Sequence, residues 1–410
     1  MRTFKKIALL SIVLCAVQIA FAQQTDWTKW RGPSGNGSSP ETKWNPNTLS
    51  ADNISWKTNV GMGHSAVVVK GDKLYTMGNY MLADSSYKDV VVCLNTETGK
   101  EIWKYEYACA EYEDPGPFSS PLIHEGYLYT LSREGHLFCF DAENGNVVWM
   151  ENLIEKGLTK NEKEFENQYS SSPMVYKNLL ILNQNHHGIA FNKKNGALVW
   201  NSEISKNGLS TPVFFELDKK TYMAIQINQG TMAVNPENGD VLWKLECNSI
   251  ADPIIDKNTI LIPYYKSFQQ FNMHISEAEL IWENSEPKSS FQSFVKSGNY
   301  IFGFGQRNFQ CISLADGSVK WKQKMDGGSL IIANDVLIII DQSGKLILAE
   351  ASAEGYKELS SFQAIINPPK VGHKEGYRRE SACWTNPVLS HGKIYLRNTY
   401  GDLVCVNVGS

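Results

Sequence analysis

The 410-residue chain has no adjacent cysteines and no C-x-x-C pair, which excludes a zinc ribbon or a thioredoxin-type redox site. It has no G-x-S-x-G elbow and no phosphate-binding glycine loop, so two common kinds of catalytic site lack their signatures. It has no basic excess: 39 lysines and arginines face 43 acids, giving a formal charge of −4, too few cations for a nucleic-acid partner. After the first twenty-odd residues no apolar run is long enough to span a membrane.

Residues 1–22 read as a secretory signal. Arg2, Lys5 and Lys6 precede an apolar stretch from Ile7 to Ile19, and Ala20-Phe21-Ala22 stands before Gln23 as a cleavage site. Cys15 after Leu14 is a poor lipidation site, because a bulky leucine stands where a small residue is usual. We therefore expect an exported protein, periplasmic or secreted after cleavage near Ala22-Gln23, with its charge lowered to about −7 by loss of three cations. Seven cysteines remain, so at least one thiol is unpaired.

What the sequence does have is a tryptophan series. Trp103, Trp149, Trp200, Trp243, Trp282 and Trp321 recur at intervals of about 39 to 51 residues. Five of them end a Gly-x-x-x-Trp phrase, from Gly99, Gly145, Gly196, Gly239 and Gly317, and four of these phrases carry Asn or Asp four residues before the glycine. Asn or Asp plus Gly between short apolar runs is turn chemistry, with Gly free to take φ > 0. Each phrase therefore reads as a hairpin whose Trp packs an outer strand on its neighbour. A second hairpin lies upstream, as in SSPLIHEGYLYTLS (119–132) and NPVLSHGKIYLRN (386–398). Two hairpins make a four-stranded propeller blade.

Six blades end at these tryptophans. A seventh spans about 326–362, with Leu359 where Trp would stand. An eighth has three strands at about 384–408 and takes its fourth from 54–61, which carries Trp56. The expected fold is all-β: one eight-bladed propeller over 53–410, closed by N- and C-terminal strands, after a leader at 23–52 that wraps it. Closure supplies the last blade with the fourth strand that it would otherwise lack, and covers the edge that an incomplete blade would expose.

The small-small-Pro openings, the Asp/Asn-x-x-x-Gly-x-x-x-Trp hairpins and the leader WTKWRGPSGNG (27–37) together resemble the PQQ-like (pyrroloquinoline quinone) repeat propellers. That family includes quinoprotein alcohol dehydrogenases and the outer-membrane assembly scaffold BamB. The dehydrogenases imply a vicinal Cys-Cys ring, a Ca²⁺ site and an Asp base. This chain has no Cys-Cys pair, and Cys93, Cys139, Cys311 and Cys405 fall at one repeat position suited to core packing. The expectation is no cofactor, neither PQQ nor calcium, and no metal.

Strand order puts the first-to-second and third-to-fourth turns on one face. The opposite face collects the long excursions 79–89, 104–118, 152–170 and 363–385, where binding is expected. The channel mouth there is expected to be lined by His64, Ser120, Ser172, Thr211, Asp252, Gln292, Ser329 and Asn386. Arg133, His186, His187, Lys266, Arg307 and Tyr400 are placed beside it, and the last loop adds Arg378, Arg379 and Trp384. Guanidinium groups suit carboxylate, sulfate or phosphate. Adjacent His186 and His187 are expected to point apart, with no third metal ligand. Glu111, Glu113 and Asp114 form an acidic loop cluster. The expected function is a monomeric, non-enzymatic BamB-like scaffold that engages a protein or polymer through this face. The alternative is an enzyme or a polysaccharide- or small-ligand-binding protein acting at the channel mouth, with a PQQ-dependent dehydrogenase the least expected form of it.

Overall fold

The structure is a computed structural model, which describes residues 25–409 except 48, 111–115, 161–168, 206–207, 228–229, 248, 265, 290–292, 306, 326 and 367–382. Its strands form eight separate four-stranded antiparallel sheets. Seven are built from consecutive strands: blade 1 (68–109), blade 2 (122–152), blade 3 (174–201), blade 4 (213–245), blade 5 (254–284), blade 6 (295–324) and blade 7 (328–363). Blade 8 joins three strands of 388–407 to Ile54–Asn59, which pairs antiparallel with Asp402–Asn407. The eight-bladed ring closes as the sequence predicts.

The tryptophan phrase is one half of a contact between blades. Each seam tryptophan donates its indole N–H to a carbonyl in the third-to-fourth turn of the next blade. The pairs are Trp56 to Thr96, Trp103 to Ala142, Trp149 to Lys193, Trp200 to Pro236, Trp243 to His274, Trp282 to Leu314 and Trp321 to Ser352, at 2.8–3.1 Å. In five of these seams the same turn presents a glycine to the ring. A Cβ on Gly99, Gly145, Gly196 or Gly239 would lie 2.6–2.9 Å from the preceding blade's tryptophan. These glycines also sit at φ of 66–80°, a region L side chains avoid. The Asn or Asp four residues earlier caps the turn: Asp141 Oδ1 accepts from the Glu143 N–H at 2.8 Å.

Opposite each tryptophan stands a small or slender residue. Trp56 pairs with Cys405, Trp103 with Cys93, Trp149 with Cys139 and Trp321 with Cys311. All four thiols are fully buried, and burial pushes each up to about 12. They pack, and at neutral pH they are not nucleophiles.

Blade 7 differs from expectation by one residue. Its pairing puts Ser360 opposite Leu348, the register a tryptophan occupies elsewhere, and leaves Leu359 in the β-bulge between Glu358 and Ser360. The leader covers this seam. Leu49 N–H donates to Ser360 Oγ at 3.0 Å, Asn45 N–H donates to the Val408 carbonyl at 2.7 Å, and Trp44 is buried in the core shared by blades 7 and 8.

Arg397 ties blade 8 to blade 1. It is fully buried, and its guanidinium donates to the carbonyls of Ser65, Met77 and Gly61 and to Thr76 Oγ1 at 2.6–2.9 Å. Burial lowers its pKa, and four oxygen acceptors take the place of a carboxylate partner.

Two glycine substitutions separate the seam contact from ordinary turn strain. Gly145→Ala places a methyl on the Trp103 ring, whereas Gly126→Ala, at φ 83°, meets open space. Urea unfolding should show a loss of about 1 kcal/mol for Gly126→Ala and at least about 2–3 kcal/mol for Gly145→Ala. Equal losses would remove the seam from the explanation.

Candidate functional site: the channel and the long-loop face

The faces fall as expected. At the short-turn face the two turns of a blade bond each other, as in Ala142 N–H to the Gly126 carbonyl and Lys193 N–H to the Asn178 carbonyl, both 2.9 Å. The long-loop face carries the blade connections. Two of the expected excursions are partly strand: 79–89 is the end of the paired strands Lys73–Met81 and Tyr87–Asn95, and the strand Glu101–Cys109 takes up the start of 104–118.

The residues opening the inner strands do not line an open mouth. They form a belt. Ala66 N–H donates to Ser120 Oγ, Ser120 N–H to Ser172 Oγ, Ser172 N–H to Thr211 Oγ1, Thr211 N–H to Asp252 Oδ1 and Asp252 N–H to Ser293 Oγ, at 2.9–3.1 Å. The openings of blades 1 to 6 are thus hydrogen-bonded in succession. The small-small-Pro pattern serves this inter-blade contact, because a short polar side chain reaches the neighbouring backbone N–H at this spacing. The belt also corrects two positions: Ala66 and Ser293 occupy the register assigned to His64 and Gln292. Gln292 itself lies outside the described residues, as do Arg378, Arg379, Glu111, Glu113 and Asp114.

Asp252 is not a free ligand in the mouth. It is 4% exposed and receives the Trp30 indole N–H at 2.7 Å, with the Arg31 guanidinium 3.9 Å away. Burial lowers the Arg31 pKa and Asp252 opposes that shift. Both partners come from the leader, expected to wrap the ring. Its contacts lie on the innermost strands. Trp27 exchanges both backbone hydrogen bonds with Val69 of blade 1, the Thr28 carbonyl accepts from Ile123 of blade 2, and Arg31 donates to the Phe294 carbonyl at blade 6. Gly37 and Ser39 bond Ile332 of blade 7, and Ser39 Oγ donates to the Leu389 carbonyl of blade 8. Residues 27–39 thus occupy the inner edges of five blades and reach Asp252 at a sixth.

Side chains named separately in the sequence come together at two places. His64 stacks on Phe118, ring centroids 4.4 Å apart and 8° from parallel, and the buried Arg133 guanidinium lies 5.0 Å from the same ring. Beside them Asn79 Nδ2 donates to Asp89 Oδ1 at 2.7 Å and to Cys109 Sγ at 3.1 Å. Burial pushes the Asp89 carboxyl up to about 6, against the Asn79 hydrogen bond and the Arg133 charge. His186 and His187, expected to point apart, place their Nδ1 atoms 2.9 Å from each other with rings 83° apart. Burial, then the neighbouring His186, lowers the His187 pKa. Arg307 is exposed, and Trp384 is half-buried with its carbonyl accepting from Ser329 Oγ at 2.6 Å. Phe118, Asp89 and Arg31 carried no local signal, because their partners lie far away in the chain. Among the described residues no three His, Cys, Asp or Glu side chains group as metal ligands.

Fold and site together define an eight-bladed propeller in which five seams are Gly–Trp contacts and whose inner edge is lined by its own leader. Comparison with known proteins agrees. The family described as outer membrane protein assembly factor BamB matches residues 88–323, and the chain belongs to this family. BamB of Yersinia pestis is 22% identical over 309 residues, covering 71% of this chain and 74% of that protein. The crystal structure of BamB from Moraxella catarrhalis superposes with a TM-score of 0.59 at 14% identity, covering 86% of this chain and 98% of that one. A quinohemoprotein alcohol dehydrogenase from Pseudomonas putida HK5 superposes with a TM-score of 0.68 at 11% identity, covering 94% and 80%. These structural likenesses show the fold alone.

The dehydrogenase likeness raises the question of a bound quinone. The described channel residues do not fit one. The carboxylate at the blade openings, Asp252, is already bonded by Trp30, Thr211 and Ser293, and the belt hydroxyls are used between blades. No step is derived through that group.

The Asp89 carboxyl makes a pH prediction. Folded, it holds its proton to higher pH than it does unfolded, so stability falls as pH rises from about 4 to about 6 and stays lower above. Asp89→Asn should therefore raise unfolding free energy at pH 7.5 by about 2–3 kcal/mol, with the gain shrinking towards zero near pH 4. Denaturant curves at the two pH values test this; a loss of stability at pH 7.5 would contradict it.

Proposed function

We propose that the protein is an exported, BamB-like scaffold. It binds a protein partner through its long-loop face and performs no chemistry of its own. Family membership across residues 88–323 carries the reading. The geometry supports it: the leader lies along the inner edges of the blades, where a dehydrogenase-like propeller would use its channel. The four seam thiols are poor nucleophiles, since burial raises the pKa of each. Among the described residues no helix is long and apolar enough to cross a membrane. We further propose cleavage near Ala22-Gln23, a monomeric state, and no cofactor.

The test is recovery of the tagged protein from gently solubilised native membranes, with mass spectrometry of what comes with it. The expected result is an outer-membrane protein assembly complex, recovered less well with Arg378→Ala/Arg379→Ala while Tm is unchanged. A parallel titration with PQQ, with and without Ca²⁺, should show no saturable binding. Micromolar or tighter Ca²⁺-dependent binding would overturn the reading in favour of a dehydrogenase.

A further inference from the structure

Blades 5 and 6 carry a basic patch that the overall acidic composition does not suggest. Lys322 and Lys324 lie on the outer strand Val319–Lys324, opposite Gln310 and Asn308. Loop segments bring three more cations to them. Lys288 Nζ donates to the carbonyls of Ser285 (2.7 Å) and Lys266 (3.4 Å), which sets Lys288 beside the 266 turn. The Lys288 carbonyl in turn accepts from the Gln310 side-chain amide, behind Lys322. The Arg307 carbonyl accepts from Met325 N–H at 3.4 Å, next to Lys324. Lys266, Lys288, Arg307, Lys322 and Lys324 are all exposed. The described carboxylates among them are Glu286, 3.4 Å from Lys322, and Glu283, which accepts from Ser267 Oγ. The chain as a whole is at −4.

Lysines on an outer strand have a plain role: they discourage edge-to-edge aggregation. That role accounts for Lys322 and Lys324. It does not account for Lys266, Lys288 and Arg307, which come from three separate loops and sit on no edge. Nor is the patch general to the ring, since the corresponding strand of blade 2 is Val147-Val148-Trp149-Met150-Glu151-Asn152.

We propose that this patch is a docking surface for an acidic, extended segment of a protein partner. This rests on the reading of the protein as a protein-binding scaffold and names where and by what chemistry one contact is made. Lys322 and Lys324 share one side of their strand, about 7 Å apart. Alternate carboxylates of an extended segment have the same spacing. The loop cations lie at the end of that strand and lengthen the track. Lysine is suited to such a contact, because its ammonium is a point charge on a flexible stem rather than a planar fork. A lipid headgroup surface would satisfy the same charges. The in-line spacing along one strand favours a segment of chain over a plane of headgroups.

The probe is a fluorescein-labelled peptide of about twelve residues alternating Glu and Thr, followed by anisotropy with the purified mature protein. Binding should be saturable at about 0.02 M salt and weaken steeply towards about 0.15 M. Lys288→Glu/Lys322→Glu/Lys324→Glu should weaken it at least about tenfold with unchanged Tm. Lys57→Glu/Lys100→Glu/Lys220→Glu, which changes net charge equally at other exposed lysines, should leave most of it. Absence of peptide binding, equal loss in both variants, or binding only to vesicles of phosphatidylglycerol and phosphatidylcholine would overturn the proposal. The scaffold reading is judged separately. If the blade 6 variant still recovers its complex from membranes and no form binds the peptide, the patch proposal alone is lost.

Discussion

The ring rests on one contact repeated at seven of its eight seams: a tryptophan of one blade bonded to the third-to-fourth turn of the next. The indole N–H needs an acceptor once buried, and the next blade's turn supplies a carbonyl within 3.1 Å. At five seams the ring face lies so close to the turn that no Cβ fits, and the turn supplies glycine. Neither half is stable alone, since an outer strand with an exposed tryptophan would be an edge with an apolar patch. The contact makes each blade's packing conditional on its successor, so the ring is stable only when complete.

Completion is where the repeat is broken and repaired. The last blade borrows its fourth strand from Ile54–Asn59, and Arg397 satisfies three carbonyls and a hydroxyl across the closing seam. At the seam before it, where the tryptophan register holds Ser360, the leader supplies Leu49, Asn45 and Trp44. The leader then has a second task at the centre, with Trp30 and Arg31 on Asp252. One segment of about 25 residues thus covers the seam that lacks a tryptophan and lies along the inner edges of five blades.

Blade count, closure, the division of faces and the cysteine register were legible in the sequence because each follows from spacing along the chain. The Gly-x-x-x-Trp phrase is local, so a linear reading finds it. The site was less legible, for a physical reason. Ser120, Ser172, Thr211 and Asp252 were correctly grouped at the blade openings, but their acceptors are taken by backbone N–H groups of the preceding blades, which no local pattern reveals. Leu359 missed the tryptophan register by one because a β-bulge inserts a residue without changing the apolar pattern. Arg397 looks like an ordinary strand-end cation in KIYLRN, and its burial comes from loops more than 300 positions away. His64 and Arg133 meet only because Phe118 lies between them.

The central claim is that the seam tryptophans are hydrogen-bonded links whose opening requires the ring to open. Hydrogen–deuterium exchange of the indole N–H protons, followed by NMR with residue-by-residue assignment, tests it directly. The indole protons of Trp56, Trp103, Trp149, Trp200, Trp243, Trp282 and Trp321 should exchange together, slowly, at the rate set by global unfolding, and faster than that only in variants that break a seam glycine. Seam indoles that exchange at widely different rates would show that the blades open one at a time and would contradict the account.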